Sequence, residues 1–343
     1  MLIVCSASAD RRDDRDFDGD GKCDITVYNA ASGNWYVLGS SGSQEIQNWG
    51  WSAAEPVPGD YDGDDTADHA VYHSSSGNWY IDESDDDDQR IVQWGWGEAD
   101  PVPGDYDGDG TNDIAVYHPA SGNWYIHYSS GSNRVQNWGW SDAEPQPNDY
   151  DGDGKTDIAV YNAESGNWYV INSSNGSPRI QNWGWYAARA VSDDYDGDGR
   201  ADLCVYHPDS GNWYVANSSN GSTRIQNWGF KQAQPVPGYY DDDSRCDIGV
   251  YHPEAGAWYI INSSNGSTRV EHWGWSEAEP MDGICESDDD GYSSSYDHEY
   301  HHDYDDDYYE GDEHGHSDDD DQPDEHGGDD SGPDDSSHPD DHT

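Results

Sequence analysis

One unit recurs six times along this chain, and that repetition restricts the fold more than any other feature. Each copy carries a Gly-x-Trp-Tyr segment, with its Trp at 35, 79, 124, 168, 213 and 258, at steps of 44 or 45 residues. A second anchor, Trp-Gly-Trp, begins at Trp49, Trp94, Trp138, Trp183, Trp228 and Trp273. Its last position is Trp51, Trp96, Trp140, Trp185, Phe230 and Trp275, and these three sets account for all 17 tryptophans. A repeat of this length is one supersecondary unit that buries its apolar surface only against its neighbours.

The third copy shows how the unit reads. Pro101-Val102-Pro103-Gly104 leads into an Asp-rich loop from Asp105 to Asp113. Ile114-Ala115-Val116-Tyr117 reads as a strand, Asn123-Trp124-Tyr125-Ile126 as a second, and Arg134 to Trp138 as a third, with turn residues between them. The lead-in supplies a short fourth strand. Leu occurs only at 2, 38 and 203, whereas Gly (39), Tyr (26) and Trp (17) are abundant, so short strands and tight turns are favoured over helices. Runs such as Ile-Ala-Val-Tyr are apolar on both faces, which suits a sheet sandwiched between neighbouring blades. The expected fold is all-β: a β-propeller of six four-stranded blades, or seven if the two termini together make another. A linear β-solenoid is the weaker alternative, because its usual coils are shorter than this repeat.

Each copy holds the pattern Asp-x-Asp-Gly-Asp-Gly-x-x-Asp. The carboxylates are Asp16, Asp18, Asp20 and Asp24; Asp60, Asp62, Asp64 and Asp68; Asp105, Asp107, Asp109 and Asp113; Asp149, Asp151, Asp153 and Asp157; Asp194, Asp196, Asp198 and Asp202; and, in a degenerate sixth loop, Asp241, Asp243 and Asp247. Carboxylates at positions 1, 3, 5 and 9 of a curled backbone, with a carbonyl from position 7, form an all-oxygen cage suited to Ca²⁺. Without a cation such a cluster repels itself. Gly at position 6 permits the positive φ that closes the curl. Position 12 falls inside the next strand, so this is not an EF-hand. The sixth loop has Tyr239 at position 1 and Ser244 at position 6, and it is expected to be the weakest site or an empty one. Five to six calcium ions are expected in all.

The loop, its place in a repeat of this length and the Val-Tyr strand after it resemble the FG-GAP/VCBS family, the calcium-binding repeats of integrin-α-like β-propellers. The resemblance runs from about Asp16 to Trp275, although the Phe-Gly and Gly-Ala-Pro signatures are not literally present. It implies a propeller with calcium in its hairpin loops, in a secreted or cell-surface protein. The family includes adhesion receptors, lectins and accessory domains of polysaccharide-degrading enzymes, so it does not fix a function.

The ends of the body are complementary. The first copy lacks the Pro-Val-Pro-Gly lead-in, and an extra one, Ser276 to Gly283, follows the sixth. This segment supplies the missing strand either to the first blade of its own chain, closing the ring, or to the next molecule, building a filament. Residues 1–15 read as a signal remnant or a first strand, residues 16–285 as the propeller, and residues 286–343 as a disordered Asp/His-rich tail. The tail is a solubilising polyanion or, through His301, His302, His314 and His316, a metal-collecting arm. Cys5 and Cys285 flank the body and are placed to clasp its ends. Cys23 and Cys246 hold equivalent positions in the first and sixth loops, and Cys204 reads as a buried thiol.

Charge removes whole classes of partner. Lys and Arg total 14 against 73 Asp and Glu, so no basic face for nucleic acid can be assembled. No apolar run reaches the roughly 20 residues of a membrane helix, and membrane insertion is not expected. Three copies carry Asn-Ser-Ser-Asn-Gly-Ser turns, which place glycosylation sequons at Asn172, Asn175, Asn217, Asn220, Asn262 and Asn265 if the host is eukaryotic. Trp51, Trp96, Trp140, Trp185 and Trp275 are the candidates for stacking on a sugar, since they leave a strand just before a polar loop. His73, His118, His207 and His252 read as turn residues rather than metal ligands. Departures from the repeat are losses rather than unique additions, so an enzyme is not expected. The expected function is a calcium-stabilised extracellular recognition module for carbohydrate or protein. The alternatives are a self-assembling filament subunit and an accessory domain of a polysaccharide-degrading system.

Overall fold

The structure is a computed structural model that describes residues 15–84 and 88–281, together with the backbone of residues 2–4 and 284–286. Among these residues there are six four-stranded antiparallel sheets and no α-helix. The third blade comprises Asp100–Pro101, Ile114–His118, Asn123–His127 and Asn133–Asn137, ordered from the short strand outward. Its register sets Val116 against Pro101, Tyr117 against Trp124, and Trp124 against Gln136. Burial grades along that order. The second strand is buried on both faces, the third alternates, and the outermost is largely exposed. This is what stacked blades require of sequences such as Ile-Ala-Val-Tyr and Asn-Trp-Tyr-Ile.

Tryptophan makes the packing uniform. Trp35, Trp79, Trp124, Trp168, Trp213 and Trp258 are fully buried, and each indole N–H donates at 2.7–2.8 Å to the carbonyl of the first Trp of the Trp-Gly-Trp segment. That Trp in turn donates to a carbonyl of the following blade, as Trp94 does to Tyr125 at 3.0 Å. Each large ring therefore buries its polar atom satisfied. The turn between the second and third strands depends on glycine. Gly122 has φ +66°, and a Cβ there would lie 2.2 Å from the carbonyl oxygen of Gly139.

The ring closes within one chain. Glu279–Pro280 pairs with Ile25–Asn29, with Val27 opposite Pro280, and so completes the first blade. Trp273 donates to the carbonyl of Tyr36 at 2.9 Å, repeating at the seam the bond made at every other blade junction. Arg15 adds bonds to the carbonyls of Met281 (3.0 Å) and Pro237 (2.8 Å). The segment that a filament would donate is thus used internally, and the solenoid alternative does not hold. Leu2–Val4 and Ile284–Glu286 pair as a two-stranded antiparallel ribbon, so these flanking segments meet without making a seventh blade. Cys23, Cys204 and Cys246 are buried. The Cys5–Cys285 clasp, residues 1–14 and the tail from residue 287 lie outside the described side chains.

Candidate metal centres and an aromatic face

The strands of each blade carry two kinds of group to opposite ends. The Asp loop precedes the second strand and meets the turn between the third and fourth strands. The turn between the second and third strands, at the other end, meets the Trp-Gly-Trp segment.

At the first end, three carboxylates converge in each of five loops. The sets are Asp16, Asp18 and Asp24; Asp60, Asp62 and Asp68; Asp105, Asp107 and Asp113; Asp149, Asp151 and Asp157; and Asp194, Asp196 and Asp202. Within each set the ligand atoms lie within 4.8 Å of one another. The first Asp orders the curl by accepting backbone N–H groups; Asp105 accepts from Gly108 at 2.6 Å and from Gly110 at 2.9 Å. In the five converging loops position 6 has a positive φ, which Asp65 adopts in the second at 74° where the other four have Gly. The ninth-position Asp is a buried strut. Asp113 accepts from the N–H groups of Tyr106 (2.9 Å) and Ser129 (2.8 Å).

Position 5 behaves differently. Asp109 and Asp153 accept from the hydroxyls of Ser129 (2.6 Å) and Ser173 (2.7 Å), and Asp20, Asp64 and Asp198 are bonded to Ser40, Ser84 and Ser218. The structure therefore brings together positions 1, 3 and 9, and hands position 5 to a serine 20 residues on. These serines were not singled out from the sequence. Their signal was a Ser at the same place in all six copies.

The electrostatics of the five sets call for a cation. Burial, followed by neighbouring carboxylates and offset only in part by backbone N–H bonds, pushes Asp24, Asp68, Asp113, Asp157 and Asp202 up to about 7. Oδ1 of Asp107, Asp151 and Asp196 is buried with no hydrogen-bond partner. Oxygen-only donors, repelling charge and orphaned carboxylate oxygens together fit a hard divalent ion. Positions 1, 3 and 9 would hold it.

The sixth loop does not converge in this way. Tyr239 occupies position 1 and donates to buried Asp193 at 2.7 Å. Arg245 places Nη2 at 2.6 Å and Nε at 3.1 Å from Oδ2 of Asp243. Burial pushes Asp243 up, but bonds from Ser263 and Arg245 outweigh it and hold the carboxyl below its usual value. Lys22 of the first loop reaches Asp242 at 3.1 Å. Asp241 accepts from Ser264, and Asp247 keeps its strut bonds to Tyr240 and Ser263. The other loops are not free of side-chain cations, since Lys22 lies 3.6 Å from Asp20 and Lys155 bonds the backbone carbonyl of Asp107, but each of them keeps its first carboxylate.

Neighbouring loops are joined. The position-8 N–H of each loop donates to the position-1 carbonyl of the loop before it: Ala67 to Asp16, Asn112 to Asp60, Thr156 to Asp105, Ala201 to Asp149, Cys246 to Asp194 and Cys23 to Tyr239, at 2.7–2.9 Å. The sequon turns lie beside these loops. Ser173 and Ser174 bond Asp153 and Asp151, leaving Asn172, Asn217 and Asn262 half-buried, while Asn175, Asn220 and Asn265 are exposed.

At the opposite end, Trp51, Trp96 and Trp185 are 36–38% exposed, and Trp140 and Trp275 are half-buried. Each crosses to the next blade and meets a Tyr edge-on: Trp51 with Tyr80, Trp96 with Tyr125, Trp140 with Tyr169, Trp185 with Tyr214 and Trp275 with Tyr36, at 4.7–5.0 Å.

No family model and no curated protein matches the chain. Solved structures do. The chain is similar to a streptogramin B lyase at 11% identity and TM-score 0.51, over 83% of this chain and 92% of that one. It is similar to an Agrocybe aegerita lectin that recognises non-reducing terminal N-acetylglucosamine at 14% identity and TM-score 0.51, over 78% of each chain. A chain of a nidogen/laminin complex matches at 11% identity and TM-score 0.50, over 76% of this chain and 99% of that one. These likenesses show the fold. They also correct one expectation. Catalysis was excluded from the sequence because departures from the repeat are losses, but the lyase carries the same fold, so neither the propeller nor its regular repeat rules out an enzyme.

Proposed function

We propose that this chain is an extracellular, calcium-stiffened β-propeller of the FG-GAP/VCBS kind that recognises a carbohydrate or an extracellular protein. The observation that carries the proposal is the set of five converging Asp triads at one end of the blades. A bound divalent ion neutralises the triad and fixes the loop. Because each loop is hydrogen-bonded to the next, five fixed loops stiffen the ring that carries the aromatic face. Recognition is supported by that face, where half-exposed Trp side chains recur at blade junctions. It is supported also by the company of the fold, which includes a lectin and a member of a nidogen/laminin complex. The exposed sequons at Asn175, Asn220 and Asn265 agree with a secreted protein and would place glycans away from the aromatic face. The test is binding of the full chain to arrays of glycans and matrix proteins, in millimolar calcium and in chelator. Binding in calcium that is lost in chelator is expected. Identical binding and compactness in both would overturn the proposal.

A further inference from the structure

The exposed indoles are held more firmly than surface residues usually are. The carbonyl of Trp96 accepts the buried hydroxyl of Tyr72 at 3.1 Å, and its ring then lies edge-on to Tyr125 at 5.0 Å and beside His118 at 5.3 Å, both of the next blade. His118 is oriented by Ser121 (Nδ1 to Oγ 2.8 Å), and Asn123 donates to the hydroxyl of Tyr125 at 3.3 Å. The same group recurs as Trp51, His73 and Tyr80, and as Trp185, His207 and Tyr214. At two junctions Asn takes the place of His, beside Trp140–Tyr169 and Trp275–Tyr36. The remaining junction has Phe230 against His252 and Tyr259.

Single exposed apolar side chains are ordinary on a protein surface. These differ in three ways. They are pinned by partners from two blades, so little ordering entropy is left for a ligand to supply. They carry a rim of imidazole, amide and phenol groups, the few convergent polar groups that orient a ligand on an apolar plate. They recur around the ring on one face. The blade cores are already filled by other tryptophans, so these indoles are not needed to occupy space there.

We propose that the five Trp-bearing blade junctions are binding sites for neutral carbohydrate, each stacking one sugar ring on the indole with its hydroxyls turned to the His or Asn rim. This rests on the recognition reading above and gives it a site and a ligand class. A pyranose offers an apolar C–H face and a hydroxyl edge, which matches plate and rim. Anionic glycans are disfavoured, since 73 acids against 14 bases repel them. Repetition of one weak site suits a polymer with a repeated sugar, where linked contacts raise apparent affinity by roughly 100-fold or more. The three His junctions and the two Asn junctions form two classes, and the Phe230 junction is the internal control.

The test uses the calcium-loaded full chain on affinity gels containing cellulose, chitin, β-1,3-glucan or mannan, with heparin as the anionic control. Retardation by at least one neutral polymer and none by heparin is expected. The triple variant W51F/W96F/W185F copies the native Phe230 junction. It should lose at least tenfold in apparent affinity with an unchanged melting temperature. If that variant melts early, indole fluorescence of the unaltered chain titrated with a soluble tetrasaccharide of the retarding polymer decides the matter, a saturable shift being expected. Undiminished retardation of the folded triple variant, or no retardation of a folded, calcium-binding chain by any neutral gel, overturns the site. The second result leaves the calcium reading standing. Failure to bind calcium would remove that reading instead.

Discussion

The first five Asp loops and the sixth come from one repeat, yet they solve the same electrostatic problem differently. In loops one to five, three carboxylates converge, and the ninth-position acid is pushed up to about 7. In loop six, Tyr239 removes the first carboxylate, Arg245 clamps Asp243 and Lys22 pairs with Asp242. Asp247 keeps the strut geometry of Asp113, with the same two backbone donors. The difference teaches which part of the motif is scaffold and which part is charge. The ninth Asp is scaffold in all six loops. In the first five it is also a member of the converging triad, whereas loop six, at the seam where the chain closes on itself, lacks the first carboxylate.

The largest expected effect comes from removing calcium. Five sites, each worth RT ln(1 + [L]/Kd) and filled well above Kd, shift the melting temperature by on the order of 20 °C. Scanning calorimetry in millimolar calcium and in chelator measures it. The sign of its pH dependence follows from the buried acids. In chelator, burial holds the carboxyls of Asp24, Asp68, Asp113, Asp157 and Asp202 up at about 7 in the folded chain, against an ordinary value of 3.8. The folded state therefore binds more protons between those values, and its stability falls as pH rises from about 4 to about 7. The chelated protein should melt higher at pH 5 than at pH 7.5, and the gain from calcium should be larger at pH 7.5. A chelated protein that melts higher at pH 7.5 would count against the buried triads.

A paired substitution sharpens the contrast. Asp113→Asn and Asp247→Asn should cost similar amounts in chelator, about 1–3 kcal/mol each, because each disturbs an equivalent buried strut. Only Asp113→Asn should also remove one calcium from the count. Equal loss of calcium by both variants would mean that loop six binds as the others do. The smallest effect is expected from Arg245→Ala. It frees Asp243 from a partly exposed ion pair and should lower the melting temperature in chelator by about 1–2 °C, with the calcium count unchanged.

The periodic features were legible in the sequence because one error-tolerant pattern is sampled six times. The blades, the Asp loops, the degenerate sixth loop and the complementary ends all follow from aligning Trp35 with Trp258. Contacts that cross a blade junction were not legible. Nothing in the spacing of Trp96 and His118 says that one blade lays its indole on the next. The loop-to-loop hydrogen bonds, such as Thr156 to Asp105, were hidden for the same reason. At position 5 the carboxylate was legible but its serine partner was not. Ser129 looked like any turn former. The exclusion of catalysis failed on a different ground, since a regular repeat describes a scaffold and leaves open what its surface does.

The central claim is that five loops take calcium and the sixth does not. Isothermal titration of the chelator-stripped full chain with calcium at pH 7.5 tests it most directly. Five tight sites per chain are predicted, four in the Asp113→Asn variant and five in Asp247→Asn. Six equivalent sites, or no tight site at all, would contradict it.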